Sequence, residues 1–234
     1  MNKYIDLENE EEKAKYFHEL AGASRILELL LYTCYQNGLI PSDANSGNKE
    51  NKKNSIAYVS VDFGKNNLPT LGALMNIIAE IKNSEFNIKC DKDGFHLEIS
   101  CDSQDSEKMF LEINEIIEQN TLEKSYNYNY TIISSIYNIA KIIKETIDAD
   151  VLFATNNKLL GLGKCCISVY KGRQINKINM KKPDKIDVII SKLKKESVLN
   201  LPAVFFCTFQ ELRNFYFELD EIVYTKEQGD ENEW

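Results

Sequence analysis

Residues 86–99 alternate between apolar and polar side chains on both sides of a single turn. The turn reads Asp-Lys-Asp-Gly, and Gly94 can adopt the positive φ that a tight hairpin turn requires. If Cys90 pairs with Phe95, every apolar side chain of the two segments lies on one face, because side chains alternate along a strand. These side chains are Phe86, Ile88, Cys90, Phe95, Leu97 and Ile99. The pattern therefore predicts a β-hairpin with one buried face and one polar face.

Similar patterns on either side of the hairpin predict a larger unit over residues 55–133. Residues 56–63 alternate like a strand, and Pro69 begins a stretch with apolar residues at helical spacing. A second helical stripe follows the hairpin, and residues 125–133, with the sequence SYNYNYTII, alternate again. The resulting order, βαββαβ, is that of the ferredoxin-like fold, in which two helices cover one face of a four-stranded antiparallel sheet. We therefore expect an α+β protein with a ferredoxin-like lobe.

Two further regions are predicted before this lobe. Apolar residues recur at helical spacing through residues 7–37, which predicts one long amphipathic helix within residues 1–40. Gly38 and Pro41 supply its stop signals. Residues 41–54 contain no apolar residue larger than alanine apart from the proline, and they are rich in Asn, Ser and Lys. This composition predicts a flexible linker on the surface.

The second half of the chain predicts a connecting helix over residues 134–148 and a smaller α+β lobe over 149–225. Within that lobe the patterns predict strands at 151–155, 159–162, 166–170 and 203–209 and a helix that begins at Pro183. Residues 210–224 fit either a helix or a strand. The acidic tail at 226–234 is expected to fray.

Positive charge is concentrated in one stretch of an otherwise acidic chain. Ten basic and two acidic residues lie between Lys164 and Lys195, a net charge of +8, so the rest of the 234-residue chain carries −16. Such a patch attracts anions, and Arg173 beside Gly172 is suited to grip a phosphate group. The predicted contacts to RNA, DNA, a nucleotide or a phosphorylated ligand are Lys164, Lys171, Arg173, Lys177, Lys181, Lys182 and Lys185. The alternative is a solvated lysine-rich face packed against the acidic residues 218–233.

A second candidate site lies on the polar face of the predicted hairpin. The register places His96 and Glu98 on that face, and a neighbouring first strand would add Tyr58, Ser60 and Asp62. Histidine titrates near neutral pH, so His96 with Asp62 or Glu98 is a hypothesis for an enzyme that uses acid–base chemistry. The alternative is a polar sheet face that is solvated or covered by the amino-terminal helix.

The tyrosines invite comparison with RNA-recognition domains, which stack bases on aromatic side chains of an open sheet. The side chains that would form such a platform, if they face outwards, are Tyr58, Tyr126, Tyr128 and Tyr130. Two positions depart from the pattern of those domains. Phe95 is assigned to the buried face, and Asp93 stands where a basic residue is expected. The resemblance is therefore one of fold and does not establish function.

The local motifs of common enzymes and metal sites are missing from the sequence. Residues 161–164, Gly-Leu-Gly-Lys, lack the spacing and the following hydroxyl of a phosphate-binding P-loop. The chain has only two histidines, and Cys165 and Cys166 are adjacent instead of spaced as zinc ligands. We therefore predict six reduced cysteines, no metal site and no cofactor.

The acidic amino terminus is unlike a secretory signal, and the apolar run at 26–35 is too short to span a membrane. We expect a cytoplasmic protein with no membrane contact, and its abundance of Lys, Asn and Ile with only three arginines is typical of an AT-rich genome. The favoured function is a non-catalytic binding or adaptor subunit that uses the positively charged stretch from Lys164 to Lys195, which we call the basic segment. The alternatives left open are a protein-interaction component of a larger complex, through a partner or self-association, and an enzyme that uses His96.

Overall fold

One antiparallel sheet organises the fold. The computed structural model describes residues 6–47, 56–119, 128–171 and 203–231. Its strands are β1 (Ile40–Asn45), β2 (Ile56–Asp62), β3 (Glu85–Asp91), β4 (Gly94–Asp102), β5 (Asp150–Asn156), β6 (Lys164–Tyr170) and β7 (Ala203–Thr208). They form a seven-stranded sheet in the order β1-β2-β4-β3-β5-β6-β7, in which every neighbouring pair is antiparallel.

The inward face of this sheet packs against helices. The described helices are α1 (Glu10–Ala21), α2 (Arg25–Gln36), α3 (Leu68–Leu74), α4 (Ile77–Glu80), α5 (Ser106–Glu118), α6 (Tyr128–Ile147), α7 (Asn157–Gly161) and α8 (Phe209–Glu231). One hydrophobic core joins both halves of the chain, and it includes Leu30, Phe86, Phe110, Phe153 and Phe215. In the described part of the chain, no helix has both the length and the apolar composition to cross a lipid bilayer.

The predicted hairpin register is confirmed. Cys90 pairs with Phe95, Ile88 with Leu97 and Phe86 with Ile99. Five of these side chains are buried, and Phe95 is half-buried against the core, where its ring stacks on Tyr137 with 4.3 Å between the ring centroids. The strand at Ile56–Asp62 lies beside the hairpin as expected.

The α+β class is confirmed, whereas the complete ferredoxin-like lobe is not. The strand predicted at 125–133 is wrong from residue 128 onward, because α6 begins there. Its tyrosines alternate as in a strand, but Ile132, Ile133 and Ile136 follow helical spacing and are all buried. β2 lies next to β4, as expected, and β1 pairs with the other side of β2.

β1 lies in a region that was predicted to be a flexible linker. That prediction is wrong for residues 41–45, which pair with β2, while residues 48–54 lie outside the described part of the chain. The register of β1 shifts between Pro41 and Asp43. Tyr16 of α1 lies against this edge, with its hydroxyl 3.4 Å from the Pro41 carbonyl oxygen and 3.2 Å from that of Ser42. β1 is thus an edge strand held by backbone pairing and by α1.

The amino-terminal region forms two helices instead of the single long helix that was predicted. Gly22 has a φ of 58°, a left-handed conformation that ends α1. Ser24 lies within the predicted single helix but caps α2, because its Oγ accepts a hydrogen bond from the backbone N–H of Leu27 at 3.2 Å. Gly38, with a φ of 74°, follows the end of α2 as predicted.

The second half of the chain continues the same sheet, because β5 pairs with β3. The strand predicted at 159–162 is wrong: α7 occupies most of it, and the Asn156 side chain caps that helix. The ambiguous segment 210–224 is helical, and α8 extends through Glu231 into the acidic tail that was expected to fray. The helix predicted to begin at Pro183 lies outside the described residues.

The backbone of α6 approaches α3 so closely that Gly72 has no space for a side chain. A Cβ atom at this position would lie 2.9 Å from the Tyr130 backbone nitrogen and 3.0 Å from the Tyr130 Cα. We expect Gly72→Ala to push the helices apart and to lower the free energy of unfolding by about 1–3 kcal/mol, as overpacked substitutions do. The matched control is Gly161→Ala in α7, where an added Cβ meets nothing within 4 Å. Urea denaturation curves of equal midpoint for the two variants would contradict this packing.

Candidate functional site

The outward face of β2, β4 and β3 brings charged side chains from three strands into one row. The register pairs Asp62 with His96 and His96 with Lys89, so these residues follow one another across the sheet. The predicted proximity of His96 and Asp62 is confirmed. This row exists because the same alternation that buries Val61 and Leu97 turns Asp62 and His96 to the opposite face.

His96 lies between two carboxylates. Its Nδ1 is 2.6 Å from Asp62 Oδ1, and its Nε2 is 3.2 Å from Asp91 Oδ1. The other oxygen of Asp91 pairs with the Lys89 ammonium group. The His96 and Asp91 side chains are only 22% and 10% exposed, so much of this network is shielded from water. We call Asp62, Lys89, Asp91 and His96 the charged row.

Electrostatics favour the charged forms of His96 and Asp91 in this row. The hydrogen bond to Asp62 raises the pKa of His96 and outweighs the opposing effect of burial. Burial on its own would raise the pKa of Asp91, but hydrogen bonds from Lys89, the Asp93 backbone and His96 lower it to about 2. His96 is therefore favoured as an imidazolium that donates a hydrogen bond from each ring nitrogen.

A second group of polar side chains continues the same face towards β1. The Tyr58 hydroxyl donates a hydrogen bond to Asp43 Oδ2 at 2.9 Å, and burial raises the pKa of Tyr58 to about 12. Burial also raises the pKa of Glu98, with a partial offset from Asn87 Nδ2 at 3.5 Å. Carboxylates therefore dominate this part of the sheet face, and each of these polar groups has a partner within the fold.

The basic residues predicted as ligand contacts do not all lie together. Lys164 begins β6 and Lys171 follows its end, so they are separated by about 20 Å, the length of a seven-residue strand. Lys171 Nζ lies 3.8 Å from Asp148 Oδ2. The structure thus separates Lys164 from Lys171. The remaining predicted contacts, Arg173, Lys177, Lys181, Lys182 and Lys185, lie outside the described residues.

The predicted tyrosine platform is not assembled as a row on the sheet. Tyr58 is on the outward face, but Tyr130 belongs to α6 and packs against the core. Tyr128 also belongs to α6, and Tyr126 lies outside the described residues. The interpretation of residues 126–130 as a base-stacking strand is therefore wrong where the structure describes them.

The described thiols lie in the interior of the fold. Burial raises the pKa of Cys34 and of Cys101 to about 12, and that of Cys90 and of Cys166 to about 11. These thiols are therefore weak nucleophiles at neutral pH. Among the described residues, no group of three or more His, Cys, Asp or Glu side chains is arranged to hold a metal ion.

Two carboxylates of the outward face were missed by reasoning from the sequence. Asp91 was assigned to the turn, yet it continues the alternation of Asn87 and Lys89 and so belongs to the face that carries His96. That parity was the available signal. Asp43 was placed in the predicted linker, where no sequence pattern indicated a strand.

Comparison of the chain with protein-family models, with curated proteins and with solved structures gives no significant match.

The charged row should make the stability of the fold depend on pH. The pKa of His96 is raised above its ordinary value of 6.5. The stabilisation that His96 provides is therefore fully present below pH 6.5 and is lost as pH rises through its pKa in the folded protein. Asp91 has the opposite sign: its contribution is complete above its ordinary value of 3.8 and is lost as pH falls towards about 2. We therefore expect the row to stabilise the protein most between about pH 4 and pH 6.5, as measured by urea denaturation across this range.

Variants of Asp62, His96 and His18 test whether His96 is the source of this pH dependence. We expect Asp62→Asn to lower the pKa of His96, followed by NMR titration of the ring protons, because it removes the negative charge beside Nδ1. His96→Gln should reduce the loss of stability above pH 6.5, and the matched control is His18→Gln, whose side chain is 70% exposed. An unchanged His96 pKa in Asp62→Asn would contradict this assignment.

Proposed function

We propose that this protein is a non-catalytic binding or adaptor subunit that contacts nucleic acid or a phosphorylated ligand through its basic segment. The observation that supports this most directly is the pairing of β6 with β7, in which Val169 lies opposite Ala203. The chain that connects these residues therefore leaves and rejoins the sheet at neighbouring points. Nine of the ten basic residues, Lys171 to Lys195, lie in that connection and are tethered to one end of the sheet.

The distribution of charge supports the proposal that an anionic ligand contacts mainly the basic segment. The outward face of β1 to β4 carries four carboxyl groups, Asp43, Asp62, Asp91 and Glu98, against the two positive charges of Lys89 and His96, so it is a poor surface for a polyanion. A nucleic acid would then be held by the basic segment and kept away from the acidic face.

The geometry of His96 supports binding over catalysis. A general base needs a ring nitrogen with a free electron pair near the substrate proton. In the charged row, carboxylates occupy both nitrogens and favour the protonated ring. We therefore interpret the row as a cross-strand stabilising network. The cytoplasm remains the proposed compartment.

A protein partner or self-association is the second candidate, favoured by exposed apolar side chains in the second half of the chain. Leu162 is exposed and precedes Gly163, whose carbonyl oxygen accepts a hydrogen bond from the Phe209 backbone N–H at 2.8 Å. Phe206 in β7 and Phe217 in α8 are also exposed.

Light scattering of the purified chain tests self-association, for which we expect a mass above 26.9 kDa. A monomer at all concentrations would remove this form of the second candidate.

The primary proposal is tested by binding to single-stranded RNA and duplex DNA at two salt concentrations. We expect binding at low salt that weakens steeply as salt rises, because bound cations are released from the phosphates. Replacement of Lys181, Lys182 and Lys185 by Glu should weaken binding by about tenfold or more and reduce its salt dependence.

The matched control changes the same net charge elsewhere on the molecule. Lys65, Lys82 and Lys158 are exposed in the described surface, and their replacement by Glu should leave most of the binding intact. An equal loss in both triple variants would indicate a non-specific charge effect. No binding of either nucleic acid at low salt would exclude the nucleic-acid form of the proposal.

A further inference from the structure

Cys165 of β6 and Cys207 of β7 lie directly opposite each other in the sheet. Their sulfur atoms are 3.4 Å apart, and the side chains are 0% and 3% exposed. Both belong to the hydrophobic core on the helix-covered face. Two thiols thus meet at a strand pair where the backbone already fixes their separation.

The geometry of this strand pair suits a disulfide. Residues directly opposite each other in antiparallel strands have Cα atoms about 4.5–5.5 Å apart, within the range that a disulfide spans. The sulfur atoms must approach by only about 1.4 Å to reach the length of the bond. Cys166 cannot replace Cys165 in this pair, because successive side chains of a strand point to opposite faces.

We propose that Cys165 and Cys207 are a redox modification site that forms a reversible disulfide with a small disulfide compound as the oxidant. One protein thiolate attacks a sulfur of the oxidant, so a mixed disulfide forms and one small thiolate leaves. The second protein thiolate attacks the mixed disulfide, which forms the Cys165–Cys207 bond and releases the second small thiolate. The two small thiolates take up the two protons that the protein thiols lost, so one disulfide is reduced as the other forms.

The position of β7 determines how the oxidant reaches this pair. Among the described strands, β7 has a neighbour on one side only, so the pair becomes accessible when this edge separates from β6. The hydrogen bond to Cys207 and burial both raise the pKa of Cys165, which keeps the thiolate scarce while the edge is closed. We therefore expect slow oxidation that speeds up as pH rises.

The bond would close a loop that runs from residue 165 to residue 207 and contains the connection between β6 and β7. Cross-linking of such a loop restricts the unfolded chain and stabilises the native state. The oxidised protein should therefore unfold at a higher temperature than the reduced protein. Both strands of the pair, and α8 after β7, would be held to the sheet by a covalent bond.

The experiment treats the folded full-length protein with oxidised glutathione, blocks the remaining thiols and maps the peptides by mass spectrometry. We expect the count of free thiols to fall from six to four, with one intramolecular link between Cys165 and Cys207. The matched control is Cys166→Ser, which should form the same link. Cys165→Ser and Cys207→Ser should form no intramolecular link, because the remaining cysteine of the pair can react only as far as the mixed disulfide with glutathione.

Clear results would overturn the proposal. The proposal is wrong if the folded wild-type protein retains all six thiols after prolonged oxidation. A link that uses Cys166, or one that joins two protein molecules, would also overturn it. The peptide maps of the wild type and of Cys166→Ser decide the matter even if Cys165→Ser or Cys207→Ser fails to fold.

Discussion

The register between β2, β4 and β3 determines both faces of the central sheet. Leu97 lies opposite Val61 on one side and Ile88 on the other, and all three are buried under the helices. A slip of one residue would turn these side chains to the outward face and bring charged ones into the core. The same register aligns Asp62 with His96 on the outward face. Core packing and the charged row therefore depend on one set of strand pairs, and each favours the same alignment.

Strands could be predicted from the sequence where apolar and polar residues alternate along the strand itself. The hairpin around Gly94 and its neighbour β2 could be predicted because each strand buries every second residue. β1 could not, because an edge strand is held by the backbone hydrogen bonds of its partner and needs few apolar side chains. In α6 two patterns overlap, since Tyr128 and Tyr130 alternate while Ile132 and Ile136 follow the helix. Tertiary packing selected the helical pattern.

The candidate sites differ in how far sequence could predict them. His96 and Asp62 were brought together by strand parity, which is a local property. Asp91 was missed because its turn-forming composition masked its place at the end of a strand. Lys164 was grouped with the basic segment by its number in the chain, but a strand separates it from Lys171. Nearness in sequence is a poor guide to nearness in space when an extended strand intervenes.

The contact between α1 and β1 has a consequence for how this sheet meets other molecules. An open edge strand offers carbonyl and N–H groups that can template the strand of another chain. At β1, Tyr16 lies against two of the carbonyl oxygens, and Pro41 has no N–H to offer. The register shift between Pro41 and Asp43 also distorts the edge, so continuation of the sheet into a neighbouring molecule is hindered there. Protection against edge-to-edge aggregation on this side is therefore provided by α1 together with the proline and the irregular register of β1 itself.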